Sequence, residues 1–60
     1  MNDAELATIE AMKFYGGSFI YALAEAYLRA DSVNQAKIRD TWPTEWLQYS
    51  ILASDSNNIP

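Results

Sequence analysis

Tyr15-Gly16-Gly17-Ser18-Phe19, and the run it opens from Phe19 to Ala30 (Phe-Ile-Tyr-Ala-Leu-Ala-Glu-Ala-Tyr-Leu-Arg-Ala), decide how this chain folds. The double glycine interrupts one helical pattern, and Ser18 is placed to cap the next. On a helical wheel only Tyr21, Glu25 and Arg29 share a polar stripe, so apolar groups fill an arc of roughly 240°. A surface helix shows a much narrower apolar face. The run therefore predicts a helix either wrapped by its own chain or buried against another molecule. Ala22, Ala26 and Ala30, spaced i, i+4 and i+8, form a small-residue stripe that lets a second helix approach. Phe19, Leu23 and Tyr27 flank it; Ile20, Ala24 and Leu28 extend it. The predicted helix–helix or oligomer interface is Phe19, Ile20, Ala22, Leu23, Ala26, Tyr27 and Ala30.

Toward the N-terminus, Asn2 with Glu5 three residues on gives a cap signal, and a first helix is expected over Asp3–Tyr15. Ala4, Thr8, Ala11 and Tyr15 share its better apolar face, widened by Ile9 and Met12. Leu6, Ala7 and Phe14 sit among Asp3, Glu10 and Lys13 on the other side. Gly16-Gly17 is expected to end this helix in a left-handed reversal, which makes the first two helices neighbours. A phosphate cradle at this glycine pair lacks a preceding strand, a following Lys and the required spacing.

Toward the C-terminus, Ser32 with Gln35 fits a capping box and opens a short polar helix over Val33–Thr41. Trp42 precedes Pro43, which biases it to extended backbone, and Pro43–Tyr49 reads as a short last helix. Trp42, Trp46 and Tyr49 form an aromatic set with two readings. They close the bottom of a small core, or part of the set anchors a partner. From Ala53 to Pro60 the composition turns polar, which predicts a flexible tail beyond a single helical domain of residues 1–52.

The 60 residues allow one domain, and a chain this short buries only about 60% of its unfolded surface, so association is expected to help it. There is no cysteine and no histidine, so disulfides, thiolate metal sites and the commonest general base are all missing. No nucleotide motif and no spaced acidic pair is present. No enzyme activity, cofactor or metal is therefore expected. Eight acids oppose four bases, a net charge of −4. The acids are scattered, which suits solubility and disfavours nucleic acid as a partner. The competing reading is a small helix-turn-helix-like DNA-binding regulator that uses Asn34, Gln35, Lys37 and Arg39. Lys37 and Arg39 project about 200° apart on the wheel, which weakens it. The N-terminus does not resemble a signal peptide, and the apolar run from Phe14 to Leu28 is too short for a membrane span and contains Glu25. A soluble, intracellular protein is expected.

From Tyr15 to Tyr49 the chain resembles a group of small uncharacterised proteins encoded by bacteriophages and prophages. The matching features are Tyr15-Gly16-Gly17-Ser18-Phe19, Ala22-Leu23-Ala24-Glu25-Ala26 and Arg29-Ala30-Asp31. Asn34, Ala36-Lys37-Ile38, Trp42-Pro43, Trp46 and Tyr49 continue the pattern. Trp42 stands where a Phe is expected before the proline, and nothing after Leu52 has a counterpart. The resemblance implies a phage origin and the cytoplasm of a bacterial host, and it transfers no functional residue.

These readings together predict an all-α bundle of three to four short helices that associates with itself as a homo-oligomer and acts by binding protein. A host protein is a further expected partner, which would make the chain a modulator or inhibitor of a host complex such as a defence system. A minor virion or assembly component is the remaining alternative.

Overall fold

Asn2 lies in extended backbone ahead of α1 (Asp3–Tyr15), and its side-chain carbonyl accepts the Glu5 N–H at 2.8 Å. Asp3 and Glu5 in the first turn and Lys13 in the last complement the helix dipole. The computed structural model describes residues 1–57. Three further helices follow, α2 (Ser18–Arg29), α3 (Ser32–Thr41) and α4 (Pro43–Asn57). The described residues contain no strand, so the expected all-α bundle of short helices is the fold observed.

The α1–α2 elbow differs from expectation in its backbone. Gly16 (φ −79°, ψ 158°) and Gly17 (φ −78°, ψ −170°) are both extended, and neither is left-handed. Gly16 ends α1 by donating its N–H to the Met12 carbonyl at 2.9 Å. What this position needs is space: a β-carbon on Gly16 would collide with the Ile20 side chain and the Met12 carbonyl oxygen. Gly17 has open space around it and is the N-cap of α2, with no side-chain bond. Ser18 is thus the first helical residue and not the cap.

A similar one-residue correction holds at α3. Asp31 is its N-cap, accepting the Asn34 N–H at 2.8 Å, and Ser32 already belongs to the helix. Gln35 is then free of the capping role. Its amide donates instead to the Tyr27 carbonyl at 3.0 Å, which also accepts the Ala30 N–H at 3.2 Å where α2 ends. Trp42 (φ −125°, ψ 59°) links α3 to α4; it lies outside the helical region but is not the extended residue expected before proline.

The largest departure lies at the C-terminus. The helix begun at Pro43 does not stop near Tyr49 but runs to Asn57, and Ala53 is buried. Residues 53–57 are therefore helical where a flexible tail was expected; residues 58–60 lie outside the described range. Tyr49 and Ala53, one helical turn apart, keep α4 against the core, and the polar composition after Ala53 conceals the last turns.

The core is built around Ile9, Met12 and Tyr27, with Ala11, Leu23, Ala24, Tyr49 and Ala53 completing it. Ala7, Ile20, Ile38, Trp42, Trp46 and Leu52 close its rim. Helix α1 is the central element, packed on both α4 and α2, while α3 bridges α2 and α4. Two hydroxyl side chains meet between α1 and α4. Thr8 Oγ1 donates to the Ala4 carbonyl (2.9 Å) and Ser50 Oγ to the Trp46 carbonyl (2.8 Å), leaving the two hydroxyl oxygens 3.2 Å apart. Each hydroxyl has a single hydrogen, so the pair can fully form only two of these three contacts at once. The surface is 4127 Å² and the radius of gyration 10.9 Å. Scaling for a self-contained chain of this length gives about 4,000 Å² and about 10 Å. The chain closes its core with its own helices.

Candidate protein-binding surface

The residues predicted for an interface on α2 divide between two faces. Leu23 and Tyr27 turn into the chain's own core, and Ile20 is half-buried against it. Ala22, Ala26 and Phe19 face solvent, and Ala30 is partly covered. The aromatic set divides as well. Tyr49 is buried, and Trp46 lies tilted on the Tyr27 ring with centroids 4.7 Å apart. Trp42 is half-buried and meets the exposed Phe19 edge-on at 5.8 Å. The structure thus buries Tyr49 in the core and packs Trp46 and Trp42 against its rim, Trp42 on the side of Phe19.

Behind Phe19 and Trp42, α2 and α3 enclose an open groove of about 300 Å³. Ala26, Ala30, Ile38 and Trp42 form its apolar walls, and Asn34, Lys37 and Thr41 its polar rim. At the elbow, Phe14 is 80% exposed and touches Tyr15 edge-on at 4.8 Å. Phe14, Tyr15 and Phe19 thus stand exposed within one turn of chain. Sequence reasoning placed Phe14 on a second apolar side of α1 but named neither it nor Tyr15 as an anchor. The signal of Phe14 is an apolar ring on the polar side of α1, while Tyr15 belongs to the apolar face, and the packing leaves both uncovered among the described residues.

Charged groups brace α2 from both ends. Lys13 forms an ion pair with Glu25 and lies over the Tyr21 ring, 5.3 Å from its centroid. That hydrogen-bonded contact holds the Glu25 carboxyl below its ordinary range and the Lys13 ammonium above its own. Nearer the core, Tyr27 donates its hydroxyl hydrogen to Glu5 Oε2 at 2.5 Å. The same hydroxyl oxygen accepts from Arg39 Nη1 at 2.7 Å, and that nitrogen lies 3.4 Å from Glu5. The Tyr27 hydrogen bond lowers the Glu5 carboxyl, while burial and the Glu5 contact raise the Tyr27 phenol. This cluster ties α1, α2 and α3 together. Sequence gave no sign of it, because its members stand 12 to 34 positions apart.

The cluster also bears on DNA recognition. Arg39 and Gln35 are engaged inside the fold, leaving Asn34 and Lys37 exposed on α3. Two of the four side chains that the regulator reading requires are thus spent on structure. Chemistry has no better site. Tyr27 is held between a carboxylate and a guanidinium with its hydrogen already donated, and no group of three or more potential metal ligands occurs among the described residues. A cleft of about 230 Å³ between α1 and α4 is lined by Glu5, Thr8 and Ser50, but the Glu5 carboxylate is engaged by Tyr27 and Arg39 and both hydroxyls donate within their own helices. No described helix is long and apolar enough to cross a membrane.

Compared with protein-family models, with curated proteins and with solved structures, the chain shows no match.

Proposed function

We propose that this chain is a non-enzymatic module that binds protein through the aromatic elbow between α1 and α2. One observation carries the reading: Phe14 and Tyr15, in edge contact with each other, and Phe19, in edge contact with Trp42, are exposed on the two sides of the glycine elbow of a chain whose core is already closed. Scattered single apolar residues are ordinary on a surface, whereas paired aromatic side chains are what interface centres use. The rigid helices on either side fix the group, so little ordering entropy is lost on contact. The resemblance to small phage and prophage proteins extends the reading to a modulator or inhibitor of a host bacterial complex, such as a defence system. A small binder that needs no cofactor suits stoichiometric blocking of this kind. The test is affinity capture from bacterial lysate with the native chain and with a Phe14→Ser, Tyr15→Ser variant of unchanged helicity. The expected result is a specific host protein retained by the first and lost by the second. Equal capture by both, or none by either, overturns the reading.

A further inference from the structure

We propose that a second copy of this chain docks on the outer face of α2, with the two α2 helices antiparallel about a two-fold axis near Ala26. The inference rests on the reading above, that the chain acts by binding protein, and names one such partner. The outer face is unusually apolar for a helix whose other side is already buried. Ala22 and Ala26 lie beside exposed Phe19, and exposed Tyr21 and Leu28 stand on the far side of a polar strip. Ser18, Glu25 and Arg29 are its polar groups. The alanines let two backbones approach closely, since interaxial distance is set by the side chains at the contact.

The charges choose the orientation. Glu25 precedes Arg29 by one helical turn along this face, so a reversed copy presents Arg29 where the first presents Glu25. Each Arg29 then meets the other copy's Glu25, whereas parallel copies would stack like on like. Arg29 is available for this role: its side chain is 83% exposed, and its Nε stands 4.0 Å from its own Glu25. Glu25 is held ionised by Lys13 and keeps its charge on the face. An axis near Ala26 places Ala22 against the other copy's Ala30, with Ala26 against itself.

Area sets the strength. Even small specific interfaces bury about 600 Å² on each partner. That is about one seventh of the 4127 Å² surface. A helix of twelve residues spans only about 18 Å, so the contact must continue onto the walls of the α2–α3 groove, Ile38 and Trp42. The dimer is accordingly weak and concentration-dependent.

Sedimentation equilibrium from about 1 µM to about 1 mM tests it. The native chain should pass from monomer to dimer. Arg29→Glu and Ala26→Glu should each raise the dissociation constant at least about tenfold with helicity unchanged. Reversing both charges, Glu25→Arg with Arg29→Glu, should restore much of the loss. Orientation is read by oxidation: a mixture of Ala22→Cys and Ala30→Cys chains should cross-link between the two kinds, and Ala22→Cys alone should not. A chain monomeric throughout overturns the proposal and leaves capture through the elbow intact. A dimer indifferent to Arg29→Glu and Ala26→Glu, or Ala22→Cys chains that cross-link to each other, overturns this face or this orientation.

Discussion

Helix α2 has two apolar faces that have met different ends. On one, Leu23, Ala24 and Tyr27 are buried in the chain's own core. On the other, Ala22 and Ala26 look outward between exposed Phe19 and Tyr21. Both faces carry the same residue types, so hydropathy does not separate them. What separates them is the partner within reach: α1 supplies Ile9 and Met12 to the inner face, while α3 borders the outer one only across an open groove beside Ala26 and leaves Ala22 and Ala26 exposed. Apolar composition thus reports that a face seeks cover, and topology decides whether the same chain provides it.

The sharpest break of this comparison is the same substitution made on each face. Ala24 has no exposed surface, so Ala24→Glu must bury a carboxylate without a partner or open the core. Its expected cost is several kcal/mol, comparable with the whole stability of a domain this size, and helicity by circular dichroism should collapse. Ala26→Glu, two residues on, should leave the thermal unfolding curve almost unchanged, because the new side chain points to water. If the two variants unfold alike, the faces are not distinct.

Next in size is Tyr27, where the inner face becomes polar. Tyr27→Phe keeps the ring on Trp46 but removes the hydroxyl shared by Glu5 and Arg39. The loss should be about 1–3 kcal/mol, read as a fall in Tm, since charged neighbours lose their common partner. The elbow gives a smaller contrast. Gly16→Ala meets Ile20 and the Met12 carbonyl and should destabilise by about 1–3 kcal/mol, whereas Gly17→Asp enters open space. The new carboxylate caps a helix whose first turn has no acid, and a gain of a few tenths of a kcal/mol in chemical unfolding is expected.

Much of this architecture is legible in residue order. The bounds of α1 follow from Asn2 and Glu5 at one end and the glycines at the other, because capping is local. The break at Trp42-Pro43 is legible for the same reason. Position Asp31-Ser32 is ambiguous to one residue, since either side chain can cap, and the fold settles it by drawing Gln35 to the Tyr27 carbonyl. The glycines were misread in conformation because Gly16 answers to crowding from Ile20, a contact absent from any local rule. The last turns of α4 were misread because Ala53 is small and its neighbours polar, so only its seat against the core reveals a helix there. The aromatic set reads as one surface, yet Tyr49 is buried in the core while Trp46 and Trp42 are half-buried at its rim. Phe14 and Tyr15 were hidden in the opposite way, as ordinary members of an imperfect apolar face.

The smallest expected effect concerns the charges that brace the two faces, and it shows as a pH profile. Glu5 and Glu25 both have carboxyls lowered from the ordinary 4.5, the first chiefly by the Tyr27 hydroxyl and the second by Lys13. The fold favours their ionised forms, so their contribution is whole above 4.5 and is lost as pH falls through the lowered values. Lys13 is raised from 10.5 by Glu25, and Tyr27 from 10.0 first by burial and then by Glu5. The fold favours their protonated forms, so their contribution is whole below 10.0 and fades as pH climbs past each raised value. The Tm should therefore be flat between these limits and fall on both sides. Glu25→Gln should shorten the acid fall and hardly move Tm at neutral pH, because the Lys13 pair is partly open to water and screened by salt. Glu5→Gln should shorten the same fall by more and also lower Tm at neutral pH, because that carboxylate serves both Tyr27 and Arg39. Equal effects from the two would mean that the brace near the core is no stronger than the one at the surface.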